Sequence, residues 1–215
     1  MAVTAGMRGV PRLRAAFQSP RVRALVLDFF AGQSPRPRDE EALAPLLESW
    51  VYPQQRIAVT EAPDWGRLAK ACAADPLFRL VAGRLSGKVL QAVLQHGDFA
   101  PWNIKVSPGG AWTALDWERG ELTGIPGWDW FHYVIQSALL VGRLPIPFLV
   151  QRVEGLLASE AFGRYAERAG IRELERELVL AYLLHMAEVI KPSEGLVATR
   201  ELLQALANGW RTRLL

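Results

Sequence analysis

Two short runs rich in branched and aromatic residues open the chain, at residues 10–17 and 22–30. This composition favours β-strands, and Gln18, Ser19 and Pro20 between the runs are typical of a turn. The second run ends at Gly32. The pattern therefore predicts a β-hairpin at the amino end, followed by a connector rich in proline and charge.

Apolar residues recur at spacings of three to four over much of the remaining chain, which predicts helices. Asp39 precedes the run EALAPLLESW and could cap a helix there, although Pro45 interrupts its middle. A second helical pattern at residues 64–81 is broken near Asp75 and Pro76. The carboxyl-terminal part predicts four helices: Asp129 to Leu140, Phe148 to Ala169, Ile171 to Ile190 and Ser193 to Arg213.

The segment NIKVSPGGAWTALDWE predicts two short strands, Asn103 to Val106 and Trp112 to Asp116, joined by a turn at residues 107–110. The far ends of an antiparallel pair lie side by side, so Asn103 and Asp116 should be near neighbours. The predicted fold class is α+β. A small β element at residues 1–32 precedes a helical body at residues 33–215, which carries the two-stranded insert.

Composition narrows the class of protein. Half of the 215 residues are hydrophobic, enough for a sizeable core, and the 25 basic and 22 acidic residues are interspersed rather than clustered. This distribution argues against nucleic acid as a partner. Cys72 is the single cysteine, so no internal disulfide or cysteine-based zinc site is expected. No apolar run has the length of a signal-peptide core or a membrane span, so we expect a cytoplasmic protein without a membrane partner.

The stretch QHGDFAPWN, residues 95–103, gathers polar side chains in an otherwise apolar region. Gly97 and Pro101 oppose a regular helix and favour a tight loop. Together with Asp116, the loop residues Asp98 and Asn103 offer oxygen ligands suited to Mg²⁺ and a further carboxylate. Phosphoryl transfer uses such a set, in which metal ions bind the nucleotide phosphates and a carboxylate accepts the proton of the attacking hydroxyl.

The segments HGDFAPWN and LDWE resemble the catalytic core of the aminoglycoside phosphotransferase and choline kinase family, which has the two-lobed protein-kinase-like fold. The resemblance implies an ATP- and Mg²⁺-dependent kinase that transfers the γ-phosphoryl group to a hydroxyl of a small molecule such as an aminoglycoside, a sugar or an amino alcohol. It makes Asp98 the catalytic base and Asn103 and Asp116 the metal ligands. It gives His96 a structural role in the loop, and Asp129 in GWDWFHYV the support of that loop.

The resemblance extends to the amino end and is incomplete there. The segment LVLDFFAG resembles the last amino-lobe strand and hinge, which would place Asp28, Phe29 and Phe30 near the adenine. The family also has a phosphate-covering loop and a strand lysine, whereas no lysine precedes Lys70 in this chain. Most of the amino-terminal lobe is thus missing from the pattern. Three explanations stay open: a late start of the sequence, a lobe supplied by another chain, or a degenerate member of the family.

Simpler interpretations exist for the same residues. Asp98 and Asn103 could form an Asx-type turn, and Glu118 could reach a second metal or face solvent. His132 and His185 lie on apolar helical stretches and are interpreted as core or boundary residues. Five tryptophans near the motif are interpreted as core packing rather than as a cage for a quaternary ammonium: Trp102, Trp112, Trp117, Trp128 and Trp130.

Two other functions also fit the pattern. The chain could be a non-catalytic, kinase-like binding or scaffold domain that has lost its nucleotide-anchoring lobe. It could also be a metal-dependent hydrolase that uses the same carboxylates with two metals about 4 Å apart. The sequence does not identify the acceptor or the oligomeric state.

Overall fold

The computed structural model describes residues 7–36 and 42–214 and has an α+β architecture. Three small antiparallel sheets occur in these ranges: a hairpin β1–β2, a three-stranded sheet in the order β3-β4-β7, and a hairpin β5–β6. The strands are β1 (Leu13–Gln18), β2 (Arg23–Leu27), β3 (Val51–Ala58), β4 (Val89–Gln95), β5 (Ile104–Val106), β6 (Trp112–Ala114) and β7 (Glu121–Gly124).

Helices make up most of the body and surround α7, in which residues 177–185 are all buried. This helix packs against α2, α3, α4 and α8. A helix that is apolar all round belongs in a core, and the sequence LVLAYLLH of α7 has that character. The α-helices are α1 (Leu43–Glu48), α2 (Pro63–Ala71), α3 (Pro76–Leu85), α4 (Trp128–Gln136), α5 (Ile146–Ala158), α6 (Glu160–Ala169), α7 (Glu175–His185) and α8 (Leu196–Leu214).

The predicted amino-terminal hairpin is confirmed, with antiparallel strands and the hydroxyl of Ser19 accepting a hydrogen bond from the Val22 amide at 3.1 Å. Both strands are largely exposed. The segments on either side of the hairpin reach the body: the Gly9 carbonyl accepts from Ala114 N at 2.8 Å, and Gln33 forms a β-bridge with Val106. The predicted division of the chain at residue 32 stays a prediction.

The predicted hairpin at residues 103–116 is also confirmed, with Ile104 opposite Ala114 and Val106 opposite Trp112. The first helix of the body occurs as predicted, although it is short. Asp39, expected to cap this helix, lies outside the described residues. The break near Asp75 is confirmed, because the Asp75 carboxylate accepts from Phe78 N at 2.9 Å and caps α3.

The prediction of one continuous helix from Phe148 to Ala169 is wrong. Ser159 has extended backbone angles and its hydroxyl accepts from Phe162 N at 3.2 Å, so it ends α5 and caps α6. The predicted helix from Ile171 begins only at Glu175. Two helices, α4 and α7, continue past their ends as short π-helical turns, at Ser137–Val141 and Met186–Ile190.

None of the strands of the three-stranded sheet, β3, β4 and β7, was predicted. Strand β3 contains Pro53 and a polar run, which is tolerated because β3 pairs on one side only and its register shifts between Val51 and Arg56. None of the helices in the described ranges combines the length and the apolarity that crossing a bilayer demands.

Candidate functional site

The QHGDFAPWN loop begins where the central strand β4 ends. Gly97 turns the chain with φ of +78°, and a Cβ atom there would lie 2.5 Å from the carbonyl oxygen of Arg119. Both the backbone angle and the close approach require glycine. The turn carries Asp98 away from the sheet, and a short 3₁₀ turn, Pro101–Asn103, returns the chain to β5.

Asp129 fixes the backbone of this loop from the first turn of α4. Its carboxylate accepts hydrogen bonds from His96 N at 2.7 Å and from Gly97 N at 3.0 Å, and its side chain is buried. Burial raises the pKa of Asp129 to about 7, although the two backbone hydrogen bonds act in the opposite direction. Asp129 therefore contacts the backbone of the loop that the resemblance expects it to support.

His96 is fully buried and links the loop to the end of β6. Its Nδ1 accepts from Asp98 N at 3.3 Å, so its Nε2 carries the hydrogen and donates to the carbonyl of Leu115 at 2.7 Å. Burial lowers the pKa of His96, which favours this neutral form. The imidazole also packs against the ring of Trp117 at 4.6 Å between centroids. These contacts fit a structural residue rather than a proton carrier.

Leu115 joins the two ends of the β5–β6 hairpin. Its N–H donates to the Asn103 carbonyl at 2.7 Å, while its own carbonyl accepts from His96. The next residue, Asp116, has a φ of +62°, a left-handed conformation that aspartate tolerates better than most residues. The hairpin thus brings Asn103, His96 and the backbone of Asp116 to one edge, and the Asp116 carboxylate is exposed there.

Two side chains hold the Asp98 carboxylate. His132 Nε2 lies 3.0 Å from Oδ1, and the amide nitrogen of Asn103 donates to Oδ2 at 3.1 Å and to the Asp98 carbonyl at 2.9 Å. The hydrogen bond from His132 lowers the pKa of Asp98, and burial opposes this only in part. The side chain is 28% exposed. Asp98 is therefore an ionised, oriented carboxylate that solvent can reach.

The donor set at this edge is suited to a hard cation. The Asn103 amide nitrogen is engaged with Asp98, so the amide oxygen is the end directed elsewhere, and Asp116 adds an exposed carboxylate. Within the described residues, no three His, Cys, Asp or Glu side chains are grouped so as to hold a metal by themselves. Mg²⁺ commonly takes only one or two protein ligands and completes its shell with phosphates and water, so the residues present fit it.

A cleft of about 550 Å³ lies between the amino-terminal hairpin and the body. We call it the larger cleft, because a second cavity nearby has about half its volume. The lining of the larger cleft combines apolar side chains with carboxylates, among them Leu13, Leu25, Leu27 and Leu94 on one hand and Asp116 and Glu118 on the other. The hinge-like residues are not part of this wall. Asp28 forms an ion pair with Arg14, and Phe29 is 92% exposed, so the structure does not bring these two to the cleft; Phe30 does not line it either.

A smaller cavity of about 270 Å³ lies on the other side of the segment 118–121, which contributes to both walls. Gly97 and His132, the neighbours of Asp98, line this cavity. Met186, Val189 and Ile190 of a π-helical turn contribute apolar side chains to its wall. Such turns occur often at functional sites because they change the direction of side chains within a helix.

A second polar cluster borders the same cavity and was not predicted. The buried Asp64 carboxylate accepts from Arg67 Nε at 2.9 Å and Nη2 at 2.7 Å, and from Gln95 at 2.7 Å, while His185 Nε2 lies 3.0 Å away. Burial alone would raise the pKa of Asp64, but the hydrogen bonds and charges of His185 and Arg67 hold it at about 2. Arg67 also pairs with Glu121.

The sequence analysis missed His132 and His185 as site residues. Both are buried, as expected for core residues, but each is also paired with an aspartate beside the smaller cavity. The only sequence signal was the spacing of His132 three residues after Asp129, which puts both on one face of α4. The tryptophan prediction is confirmed for Trp112, Trp128 and Trp130, which are buried; Trp102 is exposed.

Comparison with protein-family models and with curated proteins found no match to this sequence.

Proposed function

We propose that the chain is an ATP- and Mg²⁺-dependent phosphotransferase with a protein-kinase-like fold, related to the aminoglycoside phosphotransferases and choline kinases. It transfers the γ-phosphoryl group to a hydroxyl of a small molecule. The observation that carries this proposal is the half-buried Asp98 carboxylate, held by His132 and Asn103 and still open to solvent. Such a group can orient a hydroxyl and accept its proton.

Two adjacent cavities support a reaction between two substrates. The larger cleft joins apolar walls, suited to a nucleobase, to the carboxylate of Asp116. Asp116 in this cleft and Asn103 at the same edge of the hairpin would hold Mg²⁺, and the ion when bound neutralises charge on the phosphates. The smaller cavity, beside Gly97 and His132, would receive the acceptor.

The size of the smaller cavity suggests the class of acceptor. Pockets for organic ligands usually enclose about 300–1,000 Å³, and this one, at about 270 Å³, is at the lower end. Its lining includes polar groups of Arg67, Glu121 and His132 as well as the aliphatic side chains of Val189 and Ile190. These properties favour a single sugar ring or an amino alcohol over a complete aminoglycoside.

In the proposed reaction, the acceptor hydroxyl attacks the γ-phosphorus of ATP and the bond to the ADP oxygen breaks. Asp98 orients the hydroxyl and accepts its proton as the new O–P bond forms. Its lowered pKa keeps it ionised and ready to accept a hydrogen bond from the hydroxyl. Asp129 and His96 act by holding the loop backbone in place.

The test is ADP release and ³¹P NMR of the purified chain with Mg²⁺-ATP and a panel of sugars, amino alcohols and aminoglycosides. We expect turnover with a small hydroxyl acceptor, and a loss of roughly 10³-fold in kcat for Asp98→Asn. Asp116→Asn should abolish Mg²⁺-dependent ATP binding in calorimetry. Asp75→Asn makes the same chemical change at a helix cap, where Asn serves equally well, and should leave turnover unchanged. Equal kcat for wild type and Asp98→Asn would rule out the assignment.

One observation favours a second candidate, a non-catalytic binding domain. No lysine lines the larger cleft among the described residues, and the nearby Arg14 is engaged with Asp28. Phosphate alignment would then lack a cation that kinases use. This candidate predicts no heat of binding when Mg²⁺-ATP is titrated into the wild-type chain, whereas the enzyme predicts saturable binding.

A further inference from the structure

A chain of buried hydrogen-bonding groups runs from the middle of the helical body to Asp98. Building on the proposed function, we infer that His132 is the positioning residue of the Asp98 carboxylate, and that Tyr182 and Gln136 fix the tautomer of His132 needed for this role. The resemblance of the loop motif does not include any of these three residues.

The contacts are continuous and cross from one helix to another. His132 Nε2 lies 3.0 Å from Asp98 Oδ1, and its Nδ1 lies 3.2 Å from the hydroxyl of Tyr182 on α7. That hydroxyl in turn lies 3.4 Å from the amide nitrogen of Gln136, one turn beyond His132 on α4. All three side chains behind Asp98 are buried.

In the structure the amide nitrogen of Gln136 faces the Tyr182 hydroxyl, and this orientation sets the direction of the donors along the chain. The amide nitrogen of Gln136 is a donor, so the Tyr182 oxygen accepts from it and keeps its own hydrogen for Nδ1 of His132. Nε2 then carries the single ring hydrogen and donates it to Asp98. In the opposite tautomer, a lone pair on Nε2 would face the carboxylate. In the doubly protonated ring, both neighbours of the Tyr182 hydroxyl in this chain would be donors, the Gln136 amide nitrogen and Nδ1 of His132.

Each oxygen of the Asp98 carboxylate has its own side-chain partner, so the orientation of the carboxylate is fixed. His132 holds Oδ1 from α4, while Asn103 holds Oδ2 from within the loop. The same face of α4 also supplies Asp129, which binds the loop backbone at His96 and Gly97. One helix thus fixes both the backbone of the loop and the side-chain rotamer of its carboxylate. Misplacement of a reacting group by about 1 Å can lower a rate by about 10²-fold, so this hold matters for turnover.

The first measurement reads the tautomer directly and needs no substrate. Long-range ¹H–¹⁵N spectra of the ¹⁵N-labelled chain resolve its three histidines, and His132→Gln identifies the signals of His132. We expect a neutral ring with its hydrogen on Nε2 and Nδ1 accepting a hydrogen bond. Tyr182→Phe should replace this single form by a mixture of forms. A hydrogen on Nδ1, or a doubly protonated ring, in the wild-type chain would overturn the inference.

The second measurement separates positioning from a general effect on the fold. With Mg²⁺-ATP and the best acceptor of the panel, His132→Leu should lower kcat about 100-fold while KM for both substrates changes less than about twofold. His132→Gln can place an amide N–H near the position of Nε2, so its kcat should be about tenfold higher than that of His132→Leu. Tyr182→Phe should lower kcat about tenfold.

Tyr165→Phe is the matched control for Tyr182→Phe. Tyr165 is equally buried, but its hydroxyl accepts from Gly127 N at 2.9 Å and does not contact His132. This variant should lose stability without losing kcat. An unchanged kcat in His132→Leu, or equal losses in the two tyrosine variants, would overturn the inference. If the wild-type chain shows no turnover at all, the proposed function fails, and the tautomer spectra by themselves decide whether this donor chain holds Asp98.

Discussion

The described residues include two aspartate–histidine pairs whose histidines line one cavity, and the pairs differ in what they can do. In both pairs a histidine Nε2 lies 3.0 Å from an aspartate oxygen: His132 with Asp98, and His185 with Asp64. Both histidines are buried on helices of the body. The Asp98 side chain is 28% exposed, whereas the Asp64 side chain is only 8% exposed.

The two aspartates differ in the number of hydrogen-bond donors that contact each carboxylate, although both have a histidine partner. Asp64 is contacted by Arg67 through two nitrogens, by Gln95 and by His185, which leaves little capacity for another hydrogen bond. Asp98 is contacted by one ring nitrogen and one side-chain amide. A carboxylate with unused lone pairs near solvent can bind a substrate hydroxyl, while a saturated one holds structure together. Three predictions test this distinction.

The largest expected effect is on stability at Asp64. Asp64→Ala leaves the Gln95 amide buried without its acceptor and removes the charge partner of Arg67, so it should lower the free energy of unfolding by about 3 kcal/mol. Asp98→Ala should lower it by less than about 1 kcal/mol, because the Asp98 side chain is 28% exposed and has fewer partners than Asp64. Urea unfolding of both variants measures the difference. Equal losses would mean that both carboxylates are structural.

The pH dependence of stability should follow Asp64. Its folded-state pKa of about 2 lies below the unfolded value, so the folded state binds fewer protons, and the contribution to stability is present above about pH 4. It is lost as the pH falls towards 2, and amounts to about 2 kcal/mol. Urea unfolding at several values between pH 5 and pH 2 should show this decline in the wild type and a flatter one in Asp64→Asn. A decline of equal size in the variant would assign the acid sensitivity to other carboxylates.

The two pairs also show what the sequence could predict. The residues of the loop and hairpin are close together in the chain, and turn chemistry fixes their register, so the approach of Asn103 to the end of β6 was foreseeable. His132 and His185 could not be recognised, because their partners are distant in sequence and meet them only after the helices pack. Apolar neighbours on α4 and α7 predict burial correctly and give no sign of a carboxylate inside.

The fold was predictable to a similar depth. Periodicity and capping residues located most helices, because those signals lie within each segment. The junction between α5 and α6 at Ser159 was not predicted, because the apolar pattern continues across it. The Ser159 hydroxyl caps α6 there. Strand β3 was not predicted, because Pro53 and the polar residues after it do not favour a strand. Pairing with β4 overrides that local preference.

The smallest expected effect is the loss of stability when the arginine that donates to Asp64 is replaced by lysine. Arg67 donates to Asp64 through two nitrogens and also pairs with Glu121, while its side chain is about half exposed. Arg67→Lys keeps the charge and loses the planar fork, so we expect a loss of about 1 kcal/mol in the free energy of unfolding after allowance for solvent screening. Asp98 does not contact Arg67, so kcat should stay within about twofold of the wild type, whereas KM for the acceptor should rise because Arg67 lines the smaller cavity. Urea unfolding and steady-state kinetics of one preparation test both statements. A large fall in kcat with little loss of stability would show that the Asp64 cluster serves the reaction rather than the fold, because a structural pair acts on turnover only through unfolding.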